Sequence, residues 1–445
     1  MLYSINPYNH TTIALYEEDS STDVNNKIDL AFHTRFERTA IWPMMHRLAH
    51  QLKENRESLA KLMTEEMGKP ITQSRAEIDK CVWMCEYYAD HSVAILADKI
   101  VTTEGRFSFV RRAPYGVWLA IMPWNFPFWQ VLRCAVPAIC AGNRVLLKHA
   151  SNVTGCALAI ENIFRKAGFI EGIFQILKVK SSNIGDVLSH RNIAGLSLTG
   201  SDAAGRQAAA KAATHLKPQI LELGGSNAFI VCKDADLDKA VDQAIIGRFQ
   251  NSGQSCIAAK RILVATEVYD EFIERFIGQV KKIVYGNPMS EYTFVGPLAQ
   301  VESVERLHRQ VIDSVEQGAI VAIGGKRVET MYEPTVLINV SPGMTCMQQE
   351  LFGPVVPVMR VDSMSEAISV SNGTGFGLGV SIFTEDMDAV LNYIDEFDEG
   401  AVFINSIVKS DPRLPFGGIK NSGYGRELSA EGLLAFTQAK TVFGA

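Results

Sequence analysis

Apolar side chains recur at three- and four-residue steps through residues 24–67, a spacing that predicts helix. Gly68 and Pro70 then predict the end of this run, because glycine and proline both disfavour helix interiors. A second helical pattern covers residues 77–98, and the alternating segment 107–112 predicts an exposed strand. The first quarter of the chain is therefore predicted to be mainly helical.

From residue 116 onward the pattern changes to short apolar strands that alternate with helices. The predicted strands and helices are, in chain order, 117–122, 128–141, 144–148, 156–167, 173–177 and 193–198. This alternation predicts a parallel sheet with crossover helices, the layout that binds dinucleotides outside its strand ends. The next turn, 199–205, opens an alanine-rich helix whose free N–H groups would suit a phosphate. Because it lacks the Gly-x-Gly-x-x-Gly spacing, the turn by itself fits an ordinary strand–helix connection better.

A second alternating region begins after Asp234. Its helical run at 269–284 and its strands at 355–360 and 378–383 predict a second α/β domain. The tail, 440–444, also has strand character. With 445 residues and 47% hydrophobic content, the chain is long and apolar enough for two or more domains.

Charge and cysteine content narrow the possible partners. A net charge of −6 without runs of Lys or Arg argues against nucleic-acid binding. The apolar stretch 117–124 is far shorter than the roughly 20 residues of a membrane span. Eight irregularly spaced cysteines fit neither a disulfide framework nor zinc ligands, so no metal site is predicted. Reduced thiols, and the lack of a basic and apolar leader in residues 1–19, predict a cytoplasmic protein.

The thiol of Cys256 is the main candidate for a reactive group. It lies in a glycine-containing break, 249–260, between a helical pattern and a strand, and such loops often carry reactive side chains. Upstream, Glu222 lies in an apolar run that ends in two glycines. Burial there would raise the pKa of the carboxyl group and make it a candidate general base. By itself, Cys256 also fits the inert buried thiol that most free cysteines are.

Five blocks along the chain resemble signature blocks of the aldehyde dehydrogenase superfamily, in the family order. They are Pro-Trp-Asn-Phe-Pro at 123–127, Leu-Glu-Leu-Gly-Gly at 221–225, Phe-Gln-Asn-Ser-Gly-Gln-Ser-Cys at 249–256, Glu-Leu-Phe-Gly-Pro at 350–354 and Pro-Phe-Gly-Gly at 415–418. The resemblance covers almost the whole chain and is greatest to the succinate-semialdehyde branch. It implies three catalytic residues: Cys256 as nucleophile, Asn125 as a donor to the oxyanion, and Glu222 as the base that activates water. The cysteine would pass through a thiohemiacetal and a thioester.

For the cofactor, NAD or NADP, the resemblance implies a larger set of contacts. These residues are Trp124, Lys148, Ser151, Gly200, Ser201, Gly205, Gly224, Glu350 and Phe352. Many NAD-specific members keep a glutamate where this chain has Ser151, so a 2′-phosphate would meet no charge repulsion here. His149 could add a favourable contact. Both cofactors stay open, with NAD slightly ahead on overall resemblance.

For the substrate, the resemblance points to Arg133, about two turns into the helix that follows Asn125. An arginine here resembles the residue that receives the distal carboxylate in the succinate-semialdehyde branch. Where that branch often has a second arginine, this chain has Gln250. Ser410 could complete an anionic site, and Trp129 and Phe249 are expected either to wall the tunnel or to lie in the core.

The leading hypothesis is NAD(P)-dependent oxidation of succinate semialdehyde to succinate. Alternatives are a broad dehydrogenase for medium-chain or aromatic aldehydes, an acyl-transferring relative that uses coenzyme A, and a non-catalytic structural protein on the same fold. Retention of Glu222 favours water over coenzyme A as the acceptor.

The resemblance also implies an α/β fold in three parts. A Rossmann-like, parallel-sheet dinucleotide-binding domain would cover 1–95 and 115–225, and a second α/β catalytic domain would cover 226–420. A small β oligomerisation arm and tail would comprise 96–114 and 430–445. A homodimer or homotetramer is expected, with the arm and tail pairing across subunits.

Overall fold

The protein, described over residues 1–445 by a computed structural model, has an α/β fold with two large sheets. The helices are α1 (Ser21–His33), α2 (Arg38–Glu54), α3 (Arg56–Met67), α4 (Ile71–Ile95), α5 (Trp129–Cys140), α6 (Thr154–Lys166), α7 (Ile184–Ser189), α8 (Asp202–Ala213), α9 (Leu237–Phe249), α10 (Tyr269–Val280), α11 (Val301–Glu316), α12 (Thr345–Gln348), α13 (Met364–Asn372), α14 (Met387–Leu391) and α15 (Ser429–Ala435). The strands are β1 (Leu2–Ile5), β2 (Thr12–Tyr16), β3 (Lys99–Ile100), β4 (Phe107–Pro114), β5 (Val117–Met122), β6 (Arg144–His149), β7 (Phe174–Ile176), β8 (Ile193–Thr199), β9 (Gln219–Glu222), β10 (Ala228–Val231), β11 (Arg261–Ala265), β12 (Ile320–Ile323), β13 (Arg327–Val328), β14 (Met331–Tyr332), β15 (Thr335–Ile338), β16 (Val355–Val361), β17 (Phe376–Gly377), β18 (Val380–Phe383), β19 (Val402–Ile404), β20 (Ile419–Lys420), β21 (Gly423–Tyr424) and β22 (Thr437–Gly444).

The first large sheet has the strand order β21-β9-β8-β5-β6-β7, with every pair parallel except β21 and β9. The central strand β5 is apolar throughout, as expected for a strand covered on both faces. Its alternate residues pack into two hydrophobic cores. Val117 and Leu119 belong to the core on one face of the sheet, and Trp118 and Ala120 belong to the core on the other face. Since parallel strands end at the same edge, the loops after β5, β8 and β9 lie together.

The second large sheet has the order β12-β15-β16-β11-β10-β18-β19, and only the edge pair β12 and β15 is antiparallel. Strand β10 is also buried on both faces, with Ala228 and Ile230 in one core and Phe229 and Val231 in another. Strand β10 follows β9 after a short connection, so the chain passes from one sheet to the other directly beyond Glu222.

A third sheet joins β3, β4 and β22, and β22 pairs along the whole length of β4 within the same chain. Ile100, Phe107 and Phe443 are exposed on it. The predicted strands at 107–112 and 440–444 are therefore present. The division into three parts and the oligomeric state stay predictions.

The predicted strand 117–122 matches β5, and most of the other predicted strands and helices occur within a few residues of their expected positions. The run 24–67 is three helices rather than one, separated at residues 34–37 and at Asn55. The hairpin of β1 and β2 and helix α11 lie in stretches where the sequence pattern predicts no helix or strand. No helix combines the length and apolar character needed to cross a bilayer.

Candidate active site

Two cavities share Cys256 as part of their walls. The large cleft, about 550 Å³, is lined by residues that follow β5, β8 and β9, among them Trp124, Gly200 and Gly224. The small cavity, about 210 Å³, is lined mainly by α4, α5 and the loop before Phe416. The half-buried thiol can therefore be reached from two sides.

The loop that carries Cys256 has an unusual backbone. After α9 ends at Phe249, a short turn places Asn251 and Ser252 in the left-handed region, with φ of 53° and 55°. Such conformations are disfavoured for residues with a side chain and persist only where the surroundings hold them. Here the Asn251 N–H donates to Gln73 Oε1 at 2.6 Å, and Ser252 Oγ donates to the Gly296 carbonyl at 3.0 Å. Contacts to distant segments thus fix the position of the nucleophile loop.

Asn125 is buried beside this loop and its amide is oriented by two hydrogen bonds. Its Nδ2 donates to the Gln254 carbonyl at 3.0 Å, and its Oδ1 accepts from Gln130 Nε2 at 3.2 Å. The second N–H of the amide and the backbone N–H of Cys256 have no acceptor in the chain. These two donors are therefore available to an oxyanion formed at the thiol.

Glu222 ends β9 and is completely buried, and neither carboxyl oxygen has a hydrogen-bond partner. Burial raises its pKa well above the ordinary value, and the nearby Glu427 raises it further, while Arg133 and Arg426 oppose the shift. Its side chain lines neither cavity. A Cβ on Gly417 would lie 2.8 Å from Glu222 Oε1, so the Pro-Phe-Gly-Gly loop passes directly against this carboxyl group.

Burial also raises the pKa of the Cys256 thiol, while the positive charges of Lys260 and Arg133 lower it. Lys260 is completely buried. It donates to the carbonyls of Ser255 and Cys256, each at 2.7 Å, and forms an ion pair with Glu350 at 2.9 Å. It therefore holds the backbone on either side of the nucleophile.

The large cleft contains most of the residues predicted to bind the cofactor. Its walls include Trp124, Gly200, Ser201, Gly224, Glu350 and Phe352. Ser201 caps α8 by accepting from the Ala204 N–H at 3.3 Å. Gly205 is outside the wall, and a Cβ there would lie 2.5 Å from the Leu223 side chain, so this glycine permits close packing of helix on strand. A glycine turn and a helix N-terminus at the strand ends suit a pyrophosphate.

Lys148 lies near the C-terminal end of β6, in the first large sheet. Its ammonium group donates to Ser181 Oγ at 3.1 Å and has no carboxylate partner. Ser151 begins the next turn and is exposed. Neither Lys148 nor Ser151 belongs to the wall of the large cleft, so their contact with the cofactor stays a prediction. The ring of His149 is buried between the carbonyls of Met122 and Pro127, and burial lowers its pKa to about 4. The expected phosphate contact of His149 is therefore wrong.

The small cavity brings together Trp129, Gln250 and Ser410, as predicted for the substrate side. Phe249 does not belong to it. This ring is completely buried in the core of the second sheet, where it stacks on Phe276 with centroids 6.3 Å apart. The reason is its position at the last turn of α9, whose apolar side faces that core.

Arg133 lines the small cavity, but its guanidinium forms an ion pair with the completely buried Glu427. One nitrogen lies 3.4 Å from Thr199 Oγ1, and the group also packs over the Phe416 ring at 4.7 Å. Arg133 therefore lies on the wall of the small cavity, where the substrate side was expected, and its contact with a substrate carboxylate stays a prediction.

The comparisons with known proteins agree with this geometry. A model described as the aldehyde dehydrogenase family matches residues 2–442. The chain belongs to the aldehyde dehydrogenase family. The recognition made from the five blocks, the α/β fold class and the enzyme class are thereby confirmed.

Three similar proteins belong to the succinate-semialdehyde branch of the family. A probable succinate-semialdehyde dehydrogenase (NADP(+)) of Synechocystis is 44% identical, with 99% of each chain covered. Succinate-semialdehyde dehydrogenase (NADP(+)) 1 of Mycobacterium tuberculosis is 41% identical, again over 99% of each. The crystal structure of succinic semialdehyde dehydrogenase from Streptococcus pyogenes, in complex with NADP+, has a TM-score of 0.97 at 31% identity, covering 100% of this chain and 99% of that chain.

Two residues at the site of this aldehyde dehydrogenase, Lys260 and Lys80, have no role predicted by the sequence. Lys260 closes the active-site block as a polar residue before an apolar strand, a signal too common to be read by itself. Lys80 lines the small cavity from α4 together with Gln73 and Glu77. These three are spaced i, i+4, i+7, and this polar stripe on a largely buried helix was the available signal.

Replacing Arg133 by Leu in this aldehyde dehydrogenase is expected to destabilise the fold by about 3–5 kcal/mol, because it leaves the Glu427 carboxylate buried without its partner. Urea unfolding measures the loss. The double variant Arg133→Leu, Glu427→Leu should recover most of it, since neither charge then remains buried. An unchanged free energy of unfolding in Arg133→Leu would mean that Arg133 and Glu427 do not form an ion pair in solution.

Proposed function

We propose that this aldehyde dehydrogenase oxidises succinate semialdehyde to succinate with NADP as the electron acceptor. The observation that carries the proposal is the position of Cys256, which forms a wall both of a cleft that fits a dinucleotide and of a small polar cavity. The similar proteins from Synechocystis and Mycobacterium tuberculosis are named as NADP(+)-dependent enzymes for this aldehyde.

The chain supplies the groups for two chemical steps at Cys256. Its thiolate attacks the aldehyde carbon, and the developing oxyanion accepts hydrogen bonds from Asn125 Nδ2 and the Cys256 N–H. When bound in the cleft, the dinucleotide supplies the acceptor for a hydride from that carbon. Oxidation leaves an acyl group on the sulfur as a thioester.

Hydrolysis of the thioester requires a base, and Glu222 is the proposed one. Its carboxylate takes a proton from water, the water oxygen attacks the acyl carbon, and Cys256 leaves as a thiolate. Because neither carboxyl oxygen of Glu222 has a hydrogen-bond partner, the side chain can turn toward the thioester without breaking a hydrogen bond. The sum is aldehyde, NADP+ and water giving carboxylate, NADPH and two protons.

The size of the small cavity favours a short substrate. At about 210 Å³ it lies below the roughly 300 Å³ at which sites for drug-sized ligands begin. A four-carbon aldehyde fits this space better than the medium-chain or aromatic aldehydes of the alternative hypothesis. Its lining also offers polar groups, among them Gln250 and Ser410, to the end of the substrate remote from Cys256.

Steady-state kinetics with succinate semialdehyde and butanal test the substrate proposal. The two aldehydes have the same number of carbon atoms and differ mainly in the distal carboxylate, so a higher kcat/KM for the first reports recognition of that group. Equal values for both would exclude it. The same assays with NAD and NADP test the cofactor, and a preference for NAD would overturn that half of the proposal.

Lys148, with its partner Ser181, and Ser151 are the residues that support the proposed preference for NADP over NAD. Lys148 has no carboxylate partner, and burial lowers its pKa, so a phosphate would supply the missing counter-charge. No acidic side chain stands at residue 151, where a carboxylate would repel it.

Ser151→Glu is expected to raise KM for NADP about tenfold or more and to change KM for NAD much less, because only NADP carries a phosphate that the new carboxylate repels. Initial rates at varied cofactor concentration measure both constants. Ser151→Ala, which removes the hydroxyl without adding charge, is the matched control. Equal increases for NAD and NADP would show that residue 151 does not face the 2′ position.

We also propose a cytoplasmic homodimer or homotetramer. All eight cysteines are free, which suits a reducing compartment. The sheet of β3, β4 and β22 exposes Ile100, Phe107 and Phe443, apolar side chains that a second subunit could cover. Light scattering gives the subunit count, and a monomer at micromolar concentration would contradict the proposal.

A further inference from the structure

Lys260 is a completely buried ammonium group between the nucleophile and the large cleft. Its Nζ donates to the carbonyls of Ser255 and Cys256, each at 2.7 Å, and lies 2.9 Å from Glu350 Oε1. An ammonium group has three N–H donors, so each of them has an acceptor here. The side chain is therefore held in one geometry by the backbone of the nucleophile loop and by a carboxylate that lines the cleft.

The hydrogen bond to Ser255 fixes the direction of an N–H donor at the site. The Ser255 carbonyl and the Cys256 N–H belong to the same peptide unit, which is planar and trans, so the two groups point in opposite directions. Lys260 holds the carbonyl, and the N–H, which has no acceptor in the chain, is directed away from the ammonium group. This N–H is one of the two donors available to an oxyanion at the thiol.

The backbone by itself holds this peptide unit weakly. The Ser255 carbonyl also accepts from the Ala258 N–H, but at 3.3 Å, which is long for such a bond. The hydrogen bond from Lys260 is shorter, and because it is charge-assisted it is roughly twice as strong as one between neutral groups. Lys260 therefore makes the larger contribution to the orientation of the peptide unit.

The charges around Lys260 do not cancel. Glu350 is its only carboxylate partner. A second completely buried cation, Arg248, donates only to backbone carbonyls, and its Nε and Nη1 have no acceptor. The charge of Glu350 acts on both cations. Two buried cations thus share one carboxylate, and the excess positive charge lies beside Cys256, where it favours an anion.

We propose that Lys260 is a positioning residue for the first chemical step, in which it directs the Cys256 N–H toward the oxyanion and favours the thiolate through its charge. Both effects act through Cys256, since Lys260 itself lines neither cavity. The ion pair with Glu350 connects the same peptide unit to the cleft. The inference rests on the proposed function, because it assigns a role in its first step.

Other charged groups also surround the thiol, but none of them donates to the backbone of Cys256. They are Arg133 of α5, Glu222 of β9, Glu350 after α12 and, across the small cavity, Glu77 and Lys80 of α4 and Lys409. Burial raises the pKa of the Cys256 thiol, and Lys260 opposes this more than Arg133 does. Loss of the Lys260 charge should therefore raise the pKa of the thiol further.

Alkylation of Cys256 by iodoacetamide tests the effect of the charge. The reagent reacts with the thiolate and needs neither cofactor nor aldehyde. In Lys260→Met, the pH at which Cys256 reacts at half its maximal rate should rise by about one unit or more, because a nearby positive charge is lost. Mass spectrometry of the alkylated peptide separates Cys256 from the other cysteines.

Lys409→Met is the matched control, because it removes an exposed lysine from the wall of the small cavity beside Cys256. Its alkylation midpoint should move by less than about 0.3 unit, since water screens exposed charges.

The rate of the first turnover tests the orientation of the peptide unit. Well above the midpoint, alkylation of Lys260→Met should reach the wild-type rate, which also shows that its nucleophile loop is folded. At that pH, formation of the first NADPH at saturating aldehyde should still be roughly ten- to hundredfold slower, because a misdirected oxyanion donor is lost mainly in the transition state. The aldehyde concentration that gives half of this rate should change less than about threefold. A role in stability alone would not produce this split.

A midpoint in Lys260→Met within about 0.3 unit of the wild type would overturn the effect of the charge. A first turnover within about threefold of the wild type would overturn the effect on orientation. The alkylation contains no aldehyde, and the first turnover can be measured with butanal. A wild type that fails to oxidise succinate semialdehyde would therefore contradict the proposed substrate and leave both measurements on Lys260 in place.

Discussion

Replacing Cys256 by Ala is expected to lower kcat for NADPH formation by at least roughly 10⁴-fold, because no other thiol can take its place. Cys256 is the only one of the eight cysteines in the walls of the two cavities. Without the sulfur there is no thiohemiacetal, and the donors of Asn125 and residue 256 have no oxyanion to stabilise. The measurement is the absorbance of NADPH with saturating succinate semialdehyde.

Cys232→Ala is the control for this loss, because Cys232 is also a half-buried free thiol but lies outside both cavities. It should retain the wild-type rate. Folding of Cys256→Ala is checked by its binding of NADP, which the large cleft should still accept. Turnover by Cys256→Ala within tenfold of the wild type would remove the covalent mechanism.

Replacing Glu222 by Gln is expected to separate the two chemical steps. The variant should form about one NADPH per active site in a rapid burst, and its later turnover should fall roughly 10²- to 10⁴-fold, since no base activates the water. Glutamine has nearly the same shape, and burial already favours the neutral form of Glu222, so the fold should be little disturbed. Rapid-mixing kinetics and mass spectrometry of the acyl group on Cys256 measure the outcome.

The pH dependence of thioester hydrolysis also tests the role of Glu222. The pKa of Glu222 is raised by burial, so the carboxylate that serves as base is formed only as pH rises. Hydrolysis in the wild type should therefore accelerate toward alkaline pH, and Glu222→Gln should lose this acceleration.

Glu399→Gln is the matched control, because burial raises the pKa of Glu399 to about 8 although it lines neither cavity. This control should keep normal turnover. A Glu222 variant with no burst would place the residue in the first step instead.

The sequence alone determined the α/β class, the alternation around β5 and the blocks that contain Asn125, Glu222 and Cys256. These features are local, since apolar periodicity and glycine turns depend on neighbouring residues. The five blocks were sufficient to predict the family, because each keeps its characteristic residues within a few consecutive positions.

Tertiary structure decided which side chains are free to act. Arg133 and Glu427 are far apart in the chain, and the packing of α5 against the C-terminal segment brings them together as an ion pair. The packing of α9 against the second sheet places Phe249 in a core, and the loop before Phe416 places Ser410 beside Lys80 of α4. Whether a buried charge binds a ligand depends on the partners that folding brings to it, and those partners come from segments whose contacts no local pattern records.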